Sequence, residues 1–129
     1  MRLRRGLKVS LHDEILFQRA ADLAMFGEHH RVRVGAILAK GVTTFKTGFN
    51  RSRNPVENVP YGEATIHAER QVIEGVAKSN CTLYVARLGL SGSLMTSWPC
   101  SECMEHIVAC ECVGKICFYD GQALVKVRL

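Results

Sequence analysis

The sequence predicts a single α/β domain built on a mixed sheet of five strands. Three observations predict it. An amphipathic segment is followed by two strand-like runs around a tight turn. From residue 65 onward the pattern then alternates helix, strand, helix, strand, which suits parallel pairing across crossovers. Last, Asp120-Gly121 lies between two apolar runs and signals an antiparallel hairpin at the end of the chain. A length of 129 residues fits one domain spanning 1–129, large enough for one core and small enough that self-association would be unsurprising. With 47% hydrophobic and 22% charged residues, the composition excludes a disordered or fibrous chain.

Each element has its own justification. Residues 11–27 form the first helix, with Ser10 and Asp13 at capping-box spacing and Leu16, Ala20, Leu23 and Phe26 on one apolar face that covers the sheet. Residues 31–40 and 42–49 are strands joined at Lys40-Gly41. Residues 50–63, with Pro55, Pro60 and Gly62, form a loop leading to a second helix capped by Thr65. The third strand covers 81–87, and residues 89–98, with Gly89, Gly92, Ser91, Ser93 and Ser97, form an irregular rim. A third helix runs over 100–112, and strands at 115–119 and 123–128 close the domain.

Met1 to Arg5 begins like the charged end of a signal peptide, but no apolar stretch of suitable length follows, so the expected location is the cytosol. The longest apolar run, 34–39, is too short to span a bilayer. Without an export signal, the six cysteines are expected to be reduced. Cys110 and Cys117 fit core positions, whereas Cys112 has no assigned place. Charge is uneven: residues 1–53 carry 11 basic and 4 acidic groups, and residues 54–129 carry 6 and 8. A basic first half suits an anionic partner, or simply a solvated face at Arg2, Arg4, Arg5 and Lys8.

The chemistry gathers in residues 67–103. His67-Ala68-Glu69 and Pro99-Cys100-Ser101-Glu102-Cys103 supply one imidazole and two thiols, the three protein ligands of a catalytic zinc that leaves a fourth position open. Residues two apart do not share a helix face. His67 and Glu69 therefore converge only if the chain is just entering its helix. Cys100 and Cys103 do share a face, behind a proline suited to a helix start. Positive helix N-termini would favour thiolates there. Glu69 is then the proton carrier. Two other readings stay open. A structural zinc could use Cys100, Cys103 and His106 with Cys110 or Cys112, and a thioredoxin-like pair could use Cys100 and Cys103 but leaves His67 and Glu69 unexplained.

The H-x-E and P-C-x-x-C pattern is the signature of zinc nucleobase deaminases. On those residues the sequence resembles the cytidine deaminase-like superfamily over roughly residues 12–128. The resemblance implies a three-layer α/β/α fold and hydrolytic loss of ammonia from C4 of cytosine, with attack at C6 of adenine as the neighbouring reaction. The closing hairpin is similar to the branch that includes cytidine and blasticidin deaminases and small deaminases of phage genomes. It departs from tetrameric free-cytidine deaminases, which place a cysteine where His67 stands.

Around the zinc, the resemblance implies that Asn50 meets the sugar or base and that Ala68 and Cys100 offer backbone groups. An amide both donates and accepts, which suits a nucleoside, although Asn50 also suits a turn. One of Phe49, Tyr61 and Trp98 is expected to stack on the base. Arg51 or Arg53 would hold a phosphate. The expected partner is a cytosine nucleoside or nucleotide, with no membrane and with a homo-oligomer implied by relatives that complete their pockets across subunits. Two alternatives stand beside it: an editing enzyme on single-stranded nucleic acid, tracked by the basic first half, and a zinc-stabilised binding module without chemistry.

Overall fold

The computed structural model of the protein describes residues 6–29, 31–52 and 65–129. The expectations placed on residues 1–5, on Arg53 and Tyr61, and on most of the 50–63 loop lie outside them.

Ser10 caps the first helix, α1 (Leu11–Ala24), with the predicted reciprocal pair: Asp13 N donates to Ser10 Oγ and Ser10 N to the Asp13 carboxylate. The helix stops at Ala24 rather than 27. Phe26 consequently lies beyond it and is exposed, while Leu16 and Ala20 are buried as expected. Next come β1 (Arg33–Lys40) and β2 (Thr43–Phe49), an antiparallel hairpin around Gly41, which has φ 58. Two short strands, β3 (Arg51–Ser52) and β4 (Thr65–Ile66), pair with each other where only loop was expected. Helix α2 (Ala68–Ile73) is followed by β5 (Cys81–Leu88), β6 (Leu94–Met95), α3 (Ser101–Cys110), β7 (Val113–Tyr119) and β8 (Leu124–Arg128).

The main sheet runs β2-β1-β5-β7-β8, with β6 added against the end of β5. It therefore has six strands rather than five. The sixth comes from the predicted rim, where two residues are too few to show a period. As expected, β5 and β7 are parallel and β7 and β8 are antiparallel. The last turn is longer than the two residues predicted. Tyr119 pairs with Leu124, and the Asp120 side chain accepts from the N–H groups of Gln122 and Ala123.

Alternation along the strands sends side chains to two separate cores. Ile37, Ala39, Tyr84, Ala86 and Cys117 face α1, whereas Ala36, Leu38, Leu83, Val85 and Ile116 face α2 and α3. This is the three-layer α/β/α architecture. α1 lies on β1 at Gly35, where a Cβ would stand 2.0 Å from the Ala20 carbonyl oxygen and 2.6 Å from Ala24 N. Only glycine permits that approach. Among the described residues, no helix is long and apolar enough to cross a membrane.

Candidate metal centre and surrounding site

His67 and Cys100 occupy equivalent places as the N-cap residues of α2 and α3. Thr65 is not the cap, because it belongs to β4, and the chain bends into the helix two residues later. Cys103 lies one turn into α3, and its N–H meets Cys100 Sγ at 3.5 Å.

The three ligand atoms fall together. His67 Nδ1 is 3.0 Å from Cys103 Sγ and 3.9 Å from Cys100 Sγ, and all three atoms lie within 4.8 Å of one another. At ordinary Zn–N and Zn–S lengths, tetrahedral ligands stand about 3.5–3.8 Å apart, so the cluster has the dimensions and soft donors that zinc requires. Cys103 is buried, His67 is half-buried and Cys100 is exposed, so the cluster opens to solvent on one flank. Among the described residues, no fourth histidine, cysteine or carboxylate joins it. His106, Cys110 and Cys112 lie outside it. The closed structural site built from them is therefore not the one the chain forms.

Glu69 is buried, at 5% exposure. Burial pushes the Cys103 thiol up, and the charge of Glu69 and the neighbouring Cys100 add to that push. A bound cation would reverse the balance.

Several groups fix this geometry, and the sequence did not single them out. Ser97 is buried beneath the rim; its Oγ donates to Val85 O at 2.7 Å and accepts from Tyr119 N at 2.9 Å. It thereby fastens β5 to β7 three residues ahead of Cys100. Gln71 Nε2 donates to Phe49 O at 2.6 Å and Ile66 O at 3.0 Å, which brings the end of β2 beside the residue preceding His67. Arg70 reaches Glu102 at 3.3 Å from α2 to α3.

The predicted substrate contacts are placed as follows. Asn50 is 4% exposed, and its amide is engaged at the start of β1, with Oδ1 accepting from Val34 N at 2.8 Å and Nδ2 donating to the O of Val32, just before the strand, at 2.9 Å. Phe49 is half-buried; the Arg51 guanidinium stands 4.7 Å from its ring centroid and the Phe26 ring 6.1 Å away. Trp98 is 43% exposed and meets Phe118 edge-on at 4.9 Å. Ala68 is buried in the core under α2.

Two comparisons bear on this geometry. The family described as "Cytidine and deoxycytidylate deaminase zinc-binding region" matches residues 11–120, which include the whole cluster. No curated protein matches the chain.

Proposed function

Because the chain belongs to the cytidine and deoxycytidylate deaminase family, we propose that it hydrolyses the exocyclic amine of a cytosine nucleoside or nucleotide, giving the uracil form and ammonia. The observation that carries this reading is the open His67, Cys100 and Cys103 cluster with a buried carboxylate two residues along the chain from one of its ligands.

His67, Cys100 and Cys103 would hold the zinc. When bound, zinc supplies Lewis acidity that makes water nucleophilic near neutral pH. Glu69 stands outside the ligand set and is free to move protons, taking one from the attacking water and delivering it to the ring nitrogen, then passing one to the departing amine. Burial keeps that carboxylate away from bulk water. The half-exposed Trp98 offers a flat surface for the base, and Phe49, already in contact with Arg51 and Phe26, is the second candidate; Asn50, bridging Val32 and Val34, would act by positioning the end of β2, and buried Ala68 could contribute its backbone only. Arg51 is exposed and suits a phosphate. The smaller domain size suits a homo-oligomer.

Two observations favour a second reading, a deaminase of single-stranded nucleic acid: the basic residues concentrate in the first half, and Arg51 lies over an aromatic ring. The deciding experiment is deamination by the zinc-loaded protein and its Glu69→Gln variant. Substrates would be cytidine, deoxycytidine, their monophosphates and triphosphates, and cytosine-containing single-stranded oligonucleotides. Turnover of monomers is expected. Turnover of oligonucleotides alone would establish the second reading, and a zinc-loaded protein inert on all of them would leave a binding module. The Glu69→Gln variant should keep its zinc and lose activity by about 10²-fold or more. Retained activity would refute the assignment of Glu69.

A further inference from the structure

The far end of α3 carries a second pair of cysteines that the zinc chemistry does not use. Cys110 is the last residue of the helix, and Glu111 turns the chain through a left-handed conformation, φ 57, unusual for a residue with a side chain. This turn folds Cys112 back. The two Sγ atoms stand 2.8 Å apart. Non-bonded heavy atoms rest about 3.5–4.0 Å apart and a disulfide spans about 2.05 Å, so the pair stands roughly midway between contact and bonding separation. Cys110 Sγ is oriented by Ile107 O at 3.0 Å and by Cys112 N at 3.4 Å.

The two thiols differ in access. Cys110 is half-buried and lines a cleft of about 430 Å³ between α2 and α3, beside Arg70, Glu74 and His106. Cys112 is 1% exposed, while Cys81 and Cys117 are fully buried. With Cys100 and Cys103 committed to zinc, Cys110 is the remaining thiol that a solute can reach.

We propose that Cys110 and Cys112 form a redox-active dithiol, which closes to an intramolecular disulfide by exchange with a small water-soluble disulfide entering the cleft. The Cys110 thiolate attacks one sulfur of the incoming disulfide; that S–S bond breaks and the first small thiolate leaves. Cys112 then attacks Cys110 Sγ, its proton passing to solvent, and the second small thiolate leaves. The protein dithiol loses two electrons and two protons, and one small disulfide becomes two thiols. Burial pushes the Cys112 thiol up to about 12, and the adjoining Cys110 adds to the shift. Because Cys110 lines the cleft while Cys112 is buried behind it, Cys110 meets the incoming disulfide first and Cys112 resolves.

The test is incubation of the zinc-loaded full chain with oxidised glutathione, followed by intact mass, a non-reducing peptide map and a zinc count. A mass loss of about 2 Da, mapped to a Cys110–Cys112 bridge with zinc retained, is the expected result. Cys112→Ser should stop at a glutathione adduct on Cys110, and Cys110→Ser should slow thiol loss at least about tenfold. A stable wild-type adduct that never resolves, or a Cys100–Cys103 bridge with zinc release before any change at Cys110, would overturn the proposal. If either variant fails to fold, the wild-type map decides alone.

Discussion

Ser97 ties two parallel strands together three residues ahead of Cys100 with one small side chain. Its hydroxyl fills a gap between the ends of two parallel strands, satisfying Val85 O and Tyr119 N, while its own N–H bonds Tyr119 O at 2.9 Å. Ser97→Ala would leave both partners buried and unpaired, which costs about 1–3 kcal/mol. We expect a lower urea midpoint and weaker zinc retention against a chelator; unchanged zinc retention would separate Ser97 from the site. In the sequence Ser97 is one of three serines in a glycine-containing stretch, and nothing distinguishes it from the exposed Ser91 and Ser93. The ligands were legible for the opposite reason. Zinc constrains atom type, number and spacing together, so His67, Cys100 and Cys103 are identifiable without knowing the fold. Cys103→Ala should accordingly purify without its zinc, and a full complement by elemental analysis would contradict the ligand set. Asn50 lies between these cases. An amide suited to a nucleoside is equally suited to bridge Val32 and Val34, and only the structure shows that bridge formed.

At the scale of elements, α2 is too short to be stable alone: its six residues span fewer than two turns. Neighbours hold it. Lys46 Nζ reaches the carbonyls of Gln71 and Glu74 at its C-terminal end, where a cation is favoured, and Gln71 ties the helix to β2 and β4. Gln71→Ala should therefore loosen the helix that begins at His67, costing about 1–2 kcal/mol. Faster hydrogen exchange at the α2 amides than at β5 would show it, and exchange equal to the wild type would not support the role. The longer elements were readable from capping, turn and strand signals: the Ser10-Asp13 box, the hairpin around Gly41 and the strand at β5 all form as expected. The two-residue strands were not. β3, β4 and β6 exist because partners elsewhere in the chain arrive beside them, which local propensity does not encode.

Over the whole molecule, the layer opposite the zinc is closed by a buried polar network joining distant parts of the chain. Asp13 on α1 accepts from Tyr84 Oη on β5 at 2.6 Å and pairs with Lys126 on β8 at 2.7 Å. Burial acts to raise the Asp13 pKa, but Lys126, Tyr84 and Ser10 outweigh it and hold the group near about 2, below the ordinary 3.8. A folded pKa below the unfolded one means that the unfolded chain binds the extra proton as acid is added. The stabilisation is therefore complete above 3.8 and is lost as pH falls from 3.8 toward about 2. Allowing for screening, that loss is about 1–2 kcal/mol, and Asp13→Asn should flatten the acid slope of urea stability. An unchanged slope would place the acid sensitivity elsewhere. The same network carries a consequence for biosynthesis. Asp13 is made early and its cation, Lys126, is made 113 residues later. α1 and β1 are close in sequence and meet at Gly35, whereas the inward carboxylate of α1 finds its counterion only once β8 has paired with β7. The strand β8 therefore completes the layer around the first helix, and a chain lacking Lys126 would leave the Asp13 carboxylate facing that layer without its cation.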